Sequence, residues 1–147
     1  MTPEQLQEKV EGLTNLPTLP AVVRNLSRMV DDEKSSAADI GELISKDQVL
    51  SAKILRLVNS PVYGFPGRIS SVTHALVLLG FNVVKGLVLG TTMFDSFGDK
   101  AQGLWQHSLG SAIISRRIAK ELAMQDVEEV MIAGLLHDLG KAILSFV

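Results

Sequence analysis

The chain carries three histidines, His74, His107 and His137, and only His137 is followed directly by a carboxylate, Asp138. Two imidazoles and a carboxylate are a normal partial ligand set for a divalent transition metal. His107, His137 and Asp138 are therefore the candidate metal ligands, although a catalytic centre would need at least one ligand more. Lys141 lies one turn beyond His137 and could hold a phosphate oxygen. A plainer alternative stands beside this one. A His-Asp dipeptide alone is a weak signal, a buried histidine often only satisfies a carboxylate, and Lys141 could neutralise Asp138 at i,i+3 spacing. His74, beside a helix cap in Ser71-Val72-Thr73-His74, reads as a surface residue. With no cysteine in the chain, thiol catalysis, thiolate metal sites and disulfides are excluded.

Two helices must position these groups. From Asp126, paired with Glu129 as an acidic cap, one helix is expected to run to about Ser145. Its apolar residues, Val130 to Ala133, Leu135, Leu136, Leu139, Ile143 and Leu144, leave almost no polar face, so the helix should be buried. His137 and Asp138 would then be buried too, and a buried carboxylate needs a partner or a cation. A second helix, about Gln102 to Ala123, places Leu104, His107, Ser111, Ile114 and Ile118 on one face at three-and-four spacing. That face is expected to point inward and bring His107 to His137. Arg116, Arg117, Lys120 and Glu121 read as a solvated face, and Trp105 and Phe81 as core.

The other elements are helical as well, with no strand-type alternation. Thr2 to Gly12 is a short helix. Leu16 to Pro20 is an extended lead-in to a helix ending at Val30. Ser36 with Asp39 opens a helix to about Ser45, and Asp47 caps another that Asn59-Ser60-Pro61 ends. The segment from Asn59 to Arg68 should pack its aromatics, Tyr63 and Phe65, onto the body. Ser70 or Ser71 caps a helix ending at Gly80, and the next runs from Phe81 to about Phe94. The expectation is one compact all-α domain of seven or eight helices. The apolar run from Ala142 to Val147 suggests a chain cut short at its C-terminal end, or one covered there by a partner.

Composition narrows the function classes. The 147 residues are 46% hydrophobic and 20% charged, with a formal net charge of -2. That is a folded domain, and it lacks the basic excess of a general nucleic-acid binder. Met1 to Glu11 contain no apolar leader core. Asn82, Lys85 and three glycines interrupt the apolar stretch from Ala75 to Phe94, which reads as two buried helices rather than a membrane span. A cytoplasmic protein with no membrane or nucleic-acid partner is expected.

Five segments in order resemble one family. They are Leu16-Pro17-Thr18-Leu19-Pro20; Ile44 to Leu50 continuing through Leu55 to Ser60; Ile69 to Gly80; Leu104 to Ser108; and Ala133-Gly134-Leu135-Leu136-His137-Asp138-Leu139-Gly140-Lys141. Together they resemble the HDOD domain, a bacterial signalling output module related to the HD phosphohydrolases, over about Leu16 to Leu144. The resemblance implies an HD-like all-α fold, with a helix over residues 1–15 preceding an HDOD domain over 16–147 whose C-terminal part is missing. It also implies a non-catalytic role through protein partners in a signalling pathway, with self-association an option. The HD pattern is His, then His-Asp, then a later Asp. His107 matches the first and His137-Asp138 the doublet, whereas the later Asp has no counterpart before Val147. No cofactor is expected unless the HD site works, in which case a divalent transition metal would serve a phosphohydrolase of phosphate esters or cyclic nucleotides. A nucleotide-sensing pocket without turnover is a third reading.

Overall fold

The computed structural model describes residues 2–12 and 20–144, and all regular elements in them are helical. They are α1 (Pro3–Glu11), α2 (Ala21–Val30), α3 (Ala37–Ser45), α4 (Gln48–Val58), α5 (Val72–Leu79), α6 (Phe81–Phe97), a 3-10 turn (Gly98–Ala101), α7 (Gln102–Glu121), α8 (Val127–Leu136) and α9 (Leu139–Leu144). The expected lead-in over 16–19 and the terminal residues 145–147 lie outside the described residues.

Local chemistry sets most helix starts. Ser36 and Asp39 form a reciprocal capping box, Asp47 accepts from the Leu50 N–H, and Ser71 accepts from the His74 N–H. Asp126 does not behave this way. Its backbone sits at φ -103°, ψ 50° rather than in the extended conformation of Ser36 and Ser71, and its side chain caps nothing. Asn59 ends α4 and ties down the loop that follows. Its amide donates to the Leu55 and Ile69 carbonyls and its Oδ1 accepts from the Ile69 N–H, each at 2.8 Å.

α6 is the central helix. It packs against α2, α4, α5, α8 and α9, and Val83, Val84, Leu87 and Val88 are buried along it. The apolar stretch from Ala75 to Phe94 is thus two core helices hinged at Gly80, whose φ of 86° suits glycine. α6 runs a turn further than expected, to the buried Phe97. Among the described residues no helix is long and apolar enough to cross a membrane.

Two expectations fail here. The helix expected from Asp126 to Ser145 is broken at His137–Asp138, where α9 turns to bury Ala142 with Phe94 and Phe97. The inward face of α7 is also rotated from the expected one. Ile114 and Ile118 are 62% and 53% exposed, and the buried positions are Ser108, Ala112, Arg116 and Ala119. Small residues let α8 come close: a Cβ on Gly134 would lie 3.0 Å from Ala112 Cα. Such a seam gains from proximity rather than bulk, so it gives little hydrophobic signal in sequence.

Candidate metal centre

α7 presents His107 across the close α7–α8 seam, and the break after α8 presents His137 and Asp138. The three meet. Nε2 of His107 lies 3.3 Å from Asp138 Oδ2, and Nε2 of His137 lies 3.2 Å from the same oxygen. The two rings are 5.3 Å apart between centroids. Only the carboxylate is buried: the Asp138 side chain is 9% exposed, against 56% for His107 and 39% for His137. Of the expected burial of His137 and Asp138, that of Asp138 holds and that of His137 is corrected, as is the inward direction expected of His107. The broken helix leaves His137 at a solvent-facing corner, and the rotated face of α7 turns His107 outward.

Nδ1 of His137 sits 2.7 Å from the Gly134 carbonyl. A carbonyl only accepts, so this contact places a ring proton on Nδ1 and fixes the ring with its Nε2 edge toward Asp138. Lys141 Nζ donates to the same Oδ2 at 2.7 Å. That hydrogen bond holds the Asp138 carboxyl below its usual range. The neighbouring imidazoles and the ammonium charge act the same way, against the opposing effect of burial.

These donors fit part of a transition-metal shell. Ligand atoms about 2.0–2.2 Å from an ion are about 3–3.5 Å from their neighbours. The two imidazole–carboxylate separations match, and all three ligand atoms lie within 4.8 Å of one another. Among the described residues no fourth histidine or carboxylate joins the group. A resident ion would take both Nε2 atoms and Asp138, and it would compete with Lys141 for the carboxylate. His74 is exposed on α5 and stays apart, as expected.

A second cluster escaped sequence reasoning. Arg116, read as solvated, is 7% exposed. Its Nε and Nη2 form a forked pair with Glu128, with contacts of 2.9, 3.1 and 2.6 Å. Nη1 donates to the Val62 carbonyl, and the guanidinium lies 4.9 Å over the Tyr63 ring. Tyr63 in turn stacks on Phe65 at 5.8 Å. Burial, reinforced by the Glu128 charge, pushes the Tyr63 phenol pKa up. Arg116 thus ties α7 to α8 and to the loop after α4. The signal available in sequence was its register with Ser108, Ala112 and Ala119.

The chain resembles known proteins over most of its length. A solved structure from Shewanella amazonensis, provisionally designated a metal-dependent phosphohydrolase, superposes with TM-score 0.75 at 22% identity, over 93% of this chain and 54% of its own. That likeness shows the fold. A second Shewanella amazonensis structure, provisionally designated a phosphohydrolase, matches with TM-score 0.64 at 31% identity, over 92% of this chain and 48% of its own. An uncharacterised protein of Treponema pallidum (strain Nichols) is 26% identical over 90% of this chain, which spans 27% of that protein. The chain therefore spans about half the length of these solved relatives and about a quarter of the Treponema protein. The model of the HDOD domain family matches residues 16–147, and the chain belongs to that family.

Proposed function

We propose that this chain is a regulatory module that acts through protein partners in a bacterial signalling pathway, without catalysis of its own. One observation carries the reading: the carboxylate of the HD doublet is already occupied by a tethered cation. Lys141 sits 2.7 Å from Asp138 Oδ2, where both imidazoles also point. The charge that a metal would neutralise is neutralised internally, and the three donors found among the described residues make an incomplete shell. Partner contact is supported by the apolar stripe of Ile114, Ile118 and Leu122 on the outer side of α7.

The convergence of the three donors, with the names of the Shewanella neighbours, favours a second reading as a metal-dependent phosphohydrolase. There His107, His137 and Asp138 would hold the ion, which supplies Lewis acidity to a phosphoryl group. Lys141, released from Asp138, would hold a phosphate oxygen.

One experiment separates the readings. The protein is titrated with manganese and zinc, then assayed on bis(p-nitrophenyl) phosphate beside Asp138→Asn and Lys141→Ala. The proposal expects weak metal binding that tightens in Lys141→Ala, and no turnover above Asp138→Asn. Stoichiometric metal with turnover that Asp138→Asn abolishes would overturn it.

A further inference from the structure

A second concave site lies on the other side of α7. Trp105 and Leu109 face it, and each is two positions from His107, about 200° around the helix. Between α4, α6 and α7 they enclose a cleft of about 530 Å³ with Leu57 and Phe94. Trp105 leans on Phe94 at 5.3 Å, tilted by 60°, so aromatic surface forms one wall. The size is that of a small-molecule site, and apolar walls with a few polar groups are the usual composition of one.

Three observations specify what it would take. Thr91, 4% exposed, borders the cleft, and its hydroxyl, itself out of contact with solvent, meets no hydrogen-bond partner. Its neighbour Thr92 bonds back to the Val88 carbonyl at 2.8 Å, as a helical threonine commonly does. Arg56 lines the same cleft from α4 and pairs with no carboxylate among the described residues. Lys53 also lies there, but Asp95 offsets it at 2.5 Å. The cleft thus has apolar walls, a buried unpaired hydroxyl beside them and one uncompensated positive charge.

We propose that this cleft binds a small monoanion with an apolar body, an aryl or acyl carboxylate or sulfonate. The body lies against Trp105, Phe94, Leu57 and Leu109. The anionic group meets the Arg56 guanidinium, whose fork suits a carboxylate or sulfonate. One unit of net positive charge matches one negative charge and leaves a polyanion unbalanced. The site shares no residue with the HD doublet, so it stands whether or not a metal binds there.

Trp105 is the sole tryptophan of the chain, so its indole N–H gives a single, assignable resonance. The full chain is titrated with anilinonaphthalene sulfonate while that resonance is followed. A saturable shift at one equivalent is expected. Arg56→Gln, a change at an exposed residue that leaves the core intact, should weaken binding about fivefold. Neutral phenylnaphthylamine, the same kind of body without the sulfonate, should weaken by a similar factor. Ile118→Glu, on the outer side of α7, should change nothing. Octanoate repeats the titration with an acyl body; a shift with either anion supports the class, and the tighter one identifies the body. An unmoved indole resonance with both anions, Arg56→Gln binding as tightly as the unaltered chain, or loss of binding in Ile118→Glu would overturn the proposal.

Discussion

Replacing Arg116 by methionine should be among the most damaging single changes at a polar position. The substitution keeps an unbranched side chain over Tyr63 but removes the guanidinium from Glu128 and the Val62 carbonyl. Losing one member of a buried ion pair costs about 3–5 kcal/mol, because the other charge is left without a partner. The Glu128 side chain is 26% exposed, so water reaches part of it and the low end applies. The expected loss is about 3 kcal/mol, or about 6–12 °C in Tm at this chain length. Urea denaturation followed by circular dichroism measures it. Arg116→Met combined with Glu128→Leu supplies the control. Removing both charges should recover at least about 1 kcal/mol relative to the sum of the single changes. A loss below about 1 kcal/mol in Arg116→Met, or a cycle that adds within about 0.3 kcal/mol, would refute the reasoning. The histidine pair provides a second readout. If Arg116 locks α7 to α8, its loss should move the His107 and His137 ring resonances although neither ring touches it.

Gly134→Ala should cost about 1–3 kcal/mol in a thermal melt, because its methyl would meet the Ala112 backbone at 3.0 Å, where no flexible side chain can yield. Asn59→Ala should lose about 2 kcal/mol and the exchange protection of the Ile69 amide, since three hydrogen bonds disappear together. Asp39 gives a pH test. Its carboxyl is held below its usual range by the Ser36 hydroxyl and then by the Ser36 backbone N–H. A depressed folded-state pKa adds stability that is complete above the unfolded value, about 3.9, and is lost as pH falls through the lower folded value. Asp39→Asn should therefore flatten the decline in stability below about pH 4. A variant whose acid limb superposes on that of the unaltered chain would contradict this account.

The sequence was most informative where one residue decides a local outcome. Ser36, Asp47 and Ser71 act through hydrogen bonds within three residues, so their caps are legible without a fold. The meeting of His107 with His137 and Asp138 could be anticipated because two helices and one doublet leave few arrangements. What could not be read depends on contacts between distant segments. The break after Leu136 follows from α9 packing on Phe94 and Phe97, since the residues from 126 to 144 alone favour one continuous helix. The rotation of α7 is decided by small residues in a seam, whereas the isoleucines that dominate the hydrophobic pattern lie outside it. Arg116 looked solvated because its partners stand 12 and 54 positions away.

The Gly134 position has a wider consequence. Its missing side chain sets how near α8 comes to α7, and its carbonyl orients the His137 ring. Packing and ligand geometry are thus governed by the same residue. Selection for a tight helix pair would keep the imidazoles aimed at Asp138 even if the protein had long ceased to use them. In such a scaffold a well-formed trio records descent as readily as present chemistry.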